Sequence, residues 1–221
     1  MNIIYEDNHL LLVNKPSGML AQGDETGDMP LAEHAKNYLR EKYQKTGNIF
    51  CGVVHRLDRP VSGLVVLAKT SKALERMNAM FQAREVQKTY WAIVKKRPMQ
   101  DQGHLTHWLV KDAQKNMVKA YAKEVKGSLK AELDFKVLAE KQGHYLLEVQ
   151  PITGRPHQIR VQLATLGAII KGDIKYGFPI AATDGRIYLH SKSIRFVHPI
   201  KKEEMEFVAT LPEDNFWQLF V

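Results

Sequence analysis

The sequence lacks most features of exported or membrane proteins. Its single cysteine, Cys51, cannot form a disulfide within the chain, which is typical of proteins kept in a reducing cytosol. No apolar run approaches the roughly 18 residues that cross a bilayer, and the N-terminal segment has no basic region or cleavage site of a secretion signal. There is no internal repeat, low-complexity stretch or Pro/Gly/Ser-rich linker. These absences predict a cytoplasmic protein with one domain spanning residues 1–221.

Acidic residues are outnumbered by basic ones. The chain has 32 Lys and Arg against 24 Asp and Glu, giving a net charge of +8. This excess raises the expectation of a polyanionic partner, chiefly nucleic acid, although a generally lysine-rich protein would show the same balance. Six lysines lie between residues 111 and 130 with only Asp112 and Glu124, and a second basic cluster covers residues 95–97. The local clustering favours a surface that meets phosphates.

Short apolar segments outnumber helical patterns. The lysine-rich region around residues 103–118 is interpreted as a hairpin, although its lysines also fit one face of a helix. Because the strands do not alternate one for one with helices, we expect an α+β fold with a mixed sheet. Helices are predicted after Pro30, after Ser71 and over 156–166, with Asp28, Ser71 and Thr153 as caps. Strands are predicted over 3–5, 10–13, 49–54, 64–68, 90–94, 131–137 and 145–149, and near Ile187, Ile194 and Phe207.

Three segments carry candidate chemistry. HRLDRPVSG (55–63) places four ionisable residues in a loop between two apolar strands, although a solvated connector would look similar. TGRPHQIRVQL (153–163) starts a helix with basic residues at its N-terminus, which favours phosphate binding, while a capped amphipathic helix is the plainer alternative. KTYWA (88–92) opens a strand with adjacent aromatics, one of which can stack on a base while the other packs inward.

Together these segments resemble the RluA-type family of RNA pseudouridine synthases. Five motifs stand in the family's order between Ile3 and Pro199, and this order makes coincidence improbable. Val61 and Pro156 replace threonines that are common in the family, and Gln162 replaces a frequent histidine. The motifs are IIYEDNHLLLVNKPSG, HRLDRPVSGLVVLAK, KTY, TGRPHQIRVQLATLGAIIKGDIKYG and LHSKSIRFVHP.

The resemblance implies a pseudouridine synthase-like fold, with a mixed, mainly antiparallel sheet, flanking helices and loops, and a central catalytic cleft. Because the family's opening hairpin begins at Ile3, we expect no N-terminal S4 domain or other separate RNA-binding domain. The implied activity is isomerisation of uridine in rRNA or tRNA stem-loops by base flipping. It requires no cofactor and no metal. No protein partner is inferred, and a monomer is expected.

The resemblance also assigns roles to residues. Asp58 matches the catalytic aspartate, which either attacks C1′ or removes the C2′ proton. Arg160 matches the cation that pairs with it, and Tyr90 the tyrosine that packs on the uracil. Arg56 matches the residue that fills the space of the flipped base. Leu189 matches an apolar residue on the base's other side, with a core role as the alternative. RNA or base contacts are also implied for Lys15, His55, Arg59, Arg155, His157 and Gln158.

Other functional classes remain open from the residues alone. A non-catalytic RNA-binding module would keep the basic surface without requiring Asp58 opposite Arg160. A nucleoside hydrolase or other N-glycosidase would use the same carboxylate but release free uracil. A Cys51–His55 enzyme is disfavoured because the thiol lies in an apolar strand. His104 and His107 form only a weak metal pair without further ligands at suitable spacing.

Overall fold

The computed structural model describes all 221 residues, Met1–Val221. None of its helices is long and apolar enough to cross a membrane. The helices are α1 (Leu31–Lys42), α2 (Ser71–Gln82), α3 (Gln158–Thr165) and α4 (Asn215–Gln218), and a short 3-10 turn covers Ile174–Tyr176. The strands are β1 (Asn2–Glu6), β2 (Leu10–Lys15), β3 (Gly52–Val53), β4 (Ser62–Ala68), β5 (Gln87–Val94), β6 (Gln102–Asp112), β7 (Met117–Tyr121), β8 (Leu129–Lys141), β9 (His144–Pro151), β10 (Leu189–Val197) and β11 (Glu204–Val208).

The chain divides into two compact units. The first comprises residues 1–87 and 191–212, and the second comprises residues 88–190 and 213–221. Each unit is discontinuous in sequence, because the chain leaves the first at Gln87 and returns to it at Ser191. The single catalytic domain over 1–221 stays a prediction.

The first unit is built on a sheet with the strand order β1-β2-β4-β10, in which β3 also pairs with β4 and β11 pairs with β10. All seven residues of β4 are buried, as expected for a short apolar strand inside a sheet. The buried core includes Leu12, Val66, Met77 and Phe196, so α2 packs on this sheet through its apolar stripe. Loops between these buried strands are therefore held at both ends.

The second unit is built on a sheet with the strand order β5-β9-β8-β6-β7. Antiparallel pairing joins β5 to β9, β9 to β8, β8 to β6, and β6 to β7. One face of β6, β7 and β8 packs on α3, where Val161 meets Leu109, Val118 and Ala131. The position of α3 is therefore fixed by its packing on three neighbouring strands.

The predicted α+β fold with mainly antiparallel strands is confirmed, and so are the hairpins β1–β2 and β6–β7. Two strand predictions are corrected. The segment 49–54 forms a strand only at Gly52–Val53. Ile187 precedes β10, which begins at Leu189. An apolar run marks burial, but whether it forms a strand depends on a hydrogen-bonding neighbour that the run itself does not specify.

All three predicted helix caps are wrong. Pro30 occupies the cap position of α1, which has no side-chain cap bond, and Asp28 instead pairs with Arg59. Thr70, not Ser71, caps α2, because its hydroxyl accepts a hydrogen bond from the Ala73 amide at 3.2 Å. His157 precedes α3, while the Thr153 hydroxyl accepts a hydrogen bond from the Glu132 amide. Asp28 and Thr153 are engaged by residues distant in sequence, and Ser71 follows another residue that can cap, so a preferred residue type does not locate the cap.

Gly63 is required by a close approach of two backbones. It opens the apolar part of β4 with a φ of 112°, a conformation that side-chain-bearing residues rarely adopt. A Cβ atom at this position would overlap the backbone carbonyl and amide of Ser191 in β10. The glycine of the HRLDRPVSG segment therefore has a steric explanation.

We predict that Gly63→Ala lowers the free energy of unfolding by more than about 2 kcal/mol, because both the strained φ and the overlap with Ser191 oppose it. Chemical denaturation measures the change. Gly27→Ala is the matched control, since Gly27 has a φ of 77° but nothing lies within 4 Å of its would-be Cβ. Equal losses in the two variants would show that the backbone approach is not the cause.

Candidate active site

The HRLDRPVSG loop joins β3 to β4 in the first unit. The Val61 amide donates a hydrogen bond to the Asp58 carbonyl at 3.0 Å, closing a turn around the aspartate. His55 Nε2 accepts a hydrogen bond from the Val66 amide at 3.1 Å, and its ring stacks on Phe81 with centroids 5.0 Å apart. Asp58 is half-buried and Arg56 is exposed. The histidine thus anchors the loop to β4, while the arginine faces solvent.

Lys15 is a fully buried cation beside this loop. Its ammonium donates hydrogen bonds to the carbonyl oxygens of Pro16 at 3.0 Å, Met19 at 2.8 Å and Arg59 at 3.4 Å. Burial lowers the pKa of Lys15 to about 7, and the negative charge of Asp58 opposes this shift. Lys15 therefore links the turn after β2 to the HRLDRPVSG loop and interacts electrostatically with Asp58. Its predicted RNA contact stays a prediction.

Arg59 connects the same two segments from the outside. Its amide carbonyl accepts a hydrogen bond from the Gly18 amide at 2.8 Å, and its Nε donates to the Gly18 carbonyl at 3.0 Å. Its guanidinium also pairs with Asp28 in the long loop between β2 and α1. The predicted RNA-binding residue thus already has contacts within the protein that hold the Lys15–Gly18 turn against the loop.

Arg160 lies on α3 in the second unit and forms a buried ion pair with Asp173. Its Nε donates to Asp173 Oδ2 at 2.7 Å and its Nη2 donates to Oδ1 at 2.8 Å. The two side chains are 5% and 1% exposed, so the pair is almost completely removed from water. A bidentate contact fixes the orientation of the guanidinium plane as well as its position. The predicted pairing of Arg160 with Asp58 stays a prediction.

Tyr176 and His157 extend this network. The Tyr176 ring lies under the Arg160 guanidinium, 5.2 Å from the centroid. Its hydroxyl accepts a hydrogen bond from the Val118 amide at 3.0 Å and lies 2.8 Å from His157 Nδ1. His157 has a φ of 51°, a left-handed conformation that costs a non-glycine residue about 1–2 kcal/mol. The contact with Tyr176 holds His157 in this conformation at the start of α3, and its RNA contact stays a prediction.

The other predicted residues of the second unit lie in well-defined places. Tyr90 is buried on β5 opposite Val149, and Leu189 is buried at the start of β10. Gln158 is buried, accepting hydrogen bonds from the Thr153 hydroxyl and the Arg155 amide and donating to the Glu132 carbonyl. Arg155 Nε donates to the Lys130 carbonyl at 3.1 Å. Gln158 therefore organises the turn that carries Arg155, and its RNA contact stays a prediction.

The structure brings together residues whose roles the sequence did not predict. Asp173 and Tyr176 belong to the GDIKYG segment, which is part of a family motif but whose residues were given no role from the sequence. Only the fold shows that the 3-10 turn carries both toward Arg160. Asp58 and Lys15 belong to the first unit, while Tyr90, Arg160 and Leu189 belong to the second.

The alternative chemistries have little structural support. Burial raises the pKa of the Cys51 thiol to about 11, which disfavours the nucleophilic thiolate. His104 contacts Asp134 and Thr106, whereas His107 contacts Gln162. No group of three or more His, Cys, Asp or Glu side chains in the chain is arranged to hold a metal ion.

Comparison with known proteins assigns the class. The family model for RNA pseudouridylate synthase matches residues 9–165, and the chain belongs to this family. Dual-specificity RNA pseudouridine synthase RluA of Haemophilus influenzae is 35% identical, over 95% of this chain and 92% of that protein. Ribosomal large subunit pseudouridine synthase C of Vibrio cholerae is 33% identical over 95% of this chain, which spans only 65% of that protein's length.

A solved structure supports the fold. Human RNA Pseudouridylate Synthase Domain Containing 4 superposes with a TM-score of 0.80, covering 96% of this chain and 89% of that one. Its sequence identity is 24%, so the likeness shows the fold alone.

We predict that Asp173→Leu destabilises the protein by about 3–5 kcal/mol, because it leaves the buried Arg160 guanidinium without its carboxylate. Urea denaturation measures the loss. The double variant Arg160→Met/Asp173→Leu removes both charges and should recover part of it. If the double variant is no more stable than Asp173→Leu, the ion pair does not account for the effect.

We also predict a pH dependence from Lys15. The pKa of Lys15 is lower in the folded protein, at about 7, than its usual 10.5, so protonation of Lys15 disfavours the folded state. The full penalty applies below about pH 7, and it disappears above about pH 10.5 because the lysine is then neutral in both states. Relative to Lys15→Met, wild-type stability should rise between these limits by up to about 1.4 kcal/mol per pH unit. Urea denaturation at several pH values tests this, with the exposed Lys72→Met as control. Parallel curves for wild type and Lys15→Met would contradict it.

Proposed function

We propose that this chain converts uridine in structured RNA into pseudouridine, with Asp58 as the carboxylate that acts on the ribose. One observation carries the proposal: Asp58 is half-buried on an anchored loop, beside the buried ammonium of Lys15. The Asp58 carboxylate is thereby held near a positively charged group, and a carboxylate is the group that can attack or remove a proton here. The matched family region, residues 9–165, includes Asp58, Tyr90 and Arg160.

The reaction is an isomerisation. The N1–C1′ bond breaks, the uracil rotates, the C5–C1′ bond forms, and the proton lost from C5 is balanced by one gained at N1. Asp58 either forms a bond to C1′ or takes the C2′ proton to give a glycal; both routes need its carboxylate close to the ribose. Substrate and product have the same composition, so the overall reaction consumes neither a redox cofactor nor ATP.

The remaining roles follow from the surroundings of each side chain. Tyr90 is buried on β5, which gives its ring a rigid support for packing on the uracil. Arg160 is oriented by Asp173 and Tyr176, so we propose that it presents a preorganised guanidinium to the anion of the site. Arg56 is exposed on the Asp58 loop, as a residue replacing the flipped base must be. Leu189 contributes an apolar surface.

The substrate class is proposed from the relatives. Relatives are named for the ribosomal large subunit, for dual specificity and for tRNA, so we propose an rRNA or tRNA stem-loop as substrate and partner. The net charge of +8 supports a polyanionic partner. The cytoplasmic location, the monomeric state and the central catalytic cleft stay predictions.

We predict that Asp58→Asn abolishes pseudouridine formation, lowering the rate by at least about three orders of magnitude, because the amide neither attacks nor accepts the proton. Purified wild type and variant are incubated with ribosomal and transfer RNA from cells lacking the protein, and pseudouridines are mapped. Asp101→Asn, at an exposed ion pair with Arg97, should keep wild-type activity.

The same assay separates the other classes. If the wild-type protein forms no pseudouridine and binds RNA as tightly as Asp58→Asn does, the chain is a non-catalytic RNA-binding module. Release of free uracil, measured by chromatography, would indicate an N-glycosidase, since the synthase rejoins the base to the same ribose. Either outcome would overturn the proposed function.

A further inference from the structure

The sheet of the second unit has a face that α3 does not cover. Residues alternate between the two faces of a strand, so Leu109 and its neighbours point to α3 while Trp108 points away from it. Trp108 stands opposite Tyr121 on β7 and opposite Lys130 on β8, and these three side chains form a row across the outer face. The sheet therefore places two aromatic residues at directly opposed positions on this face.

Positive charge surrounds this row. Lys119, opposite Val110, lies on the same outer face of the hairpin. Lys119 and Lys130 are exposed, Tyr121 is 38% exposed, and Trp108 is half-buried. Arg155 bonds to the Lys130 carbonyl, which brings a third cation to this edge. We call Trp108, Tyr121, Lys119 and Lys130 the aromatic platform.

The acids on this face lie on β8, where Asp134 contacts His104 at 2.8 Å and Glu132 pairs with Lys130 at 2.7 Å. Lys130 is 51% exposed while Glu132 is only 17% exposed, so the lysine still offers its ammonium to solvent. The segment 111–130 carries six lysines and only two acids. The exposed ammonium of Lys130 can therefore meet an RNA phosphate while it keeps its contact with Glu132.

From these contacts we propose that the aromatic platform is a second RNA-binding surface, which holds a single-stranded segment of the substrate away from the target uridine. Exposed aromatic rings stack on bases of any sequence, and flanking lysines meet the phosphates between them. The rings stand on the outer sheet face, whereas Arg160 belongs to the helix packed on the other face. The platform is thus distinct from the proposed uridine site, although the identity of its RNA rests on the proposed function.

The probe is a fluorescein-labelled oligocytidylate of about 20 nucleotides, which contains no uridine and so does not engage the Asp58 site as a substrate. Fluorescence anisotropy should show Tyr121→Ala binding roughly tenfold more weakly than wild type, because one stacking contact is lost. Tyr121→Phe should restore binding, since stacking needs the ring and not the hydroxyl. Equal affinity of wild type and Tyr121→Ala would overturn the proposal.

The lysines are tested by salt dependence. Lys119→Ala/Lys130→Ala should reduce the slope of log affinity against log salt by about 1.4, at about 0.7 per lost phosphate contact on a single strand. Lys72→Ala/Lys141→Ala changes the charge equally at exposed positions outside the platform and should keep the wild-type slope. Equal slopes for the two double variants would contradict the platform.

Two further results distinguish the RNA platform from a failure of the proposed function and from a dimer interface. If wild type forms no pseudouridine while Tyr121→Ala still weakens oligocytidylate binding, the proposed function fails and the platform stands. Sedimentation tests whether a second copy of the chain covers this face instead. If the wild-type protein is a dimer that Tyr121→Ala dissociates, and RNA binding is unchanged, the face is a dimer interface and the proposal fails.

Discussion

A buried cation needs protein oxygen atoms that replace the water molecules it has lost, and each unit of the protein contains one such buried cation. In the first unit, the fully buried ammonium of Lys15 is surrounded by three backbone carbonyls. In the second, the buried guanidinium of Arg160 is matched by the carboxylate of Asp173. The two solutions differ in their net charge. Neutral carbonyls accept hydrogen bonds from Lys15 without adding charge, whereas Asp173 brings a negative charge to Arg160.

This difference bears on the division of labour that we propose. In the first unit, Lys15 interacts electrostatically with Asp58 on the neighbouring loop. In the second unit, Asp173 and Tyr176 fix the orientation of the Arg160 guanidinium. Preorganisation of this kind avoids reorganisation during the reaction, which is the main way that polar groups lower a barrier.

The framework around the loops is correspondingly rigid. Fully buried β4 follows the Asp58 loop, and Gly63 allows β10 to approach it so closely that no side chain fits between them. On α3, packing of Val161 against Leu109 and Ala131 fixes the helix that carries Arg160. The same sheet turns its opposite face to solvent with Trp108 and Tyr121, so one element serves as a support on one side and as the proposed RNA platform on the other.

Patterns in consecutive residues were sufficient to predict the fold class, the two hairpins and the family. Period-two patterns and turn residues act over a few positions, and motif order is a property of the chain itself. The caps were mispredicted because Asp28 and Thr153 have distant partners, Arg59 and Glu132, that compete for their oxygens. Likewise, only the tertiary structure showed Asp173 under Arg160 and Lys15 beside Asp58. The partners and the burial of a charged side chain depend on residues distant in sequence, so the residues next to it do not determine them.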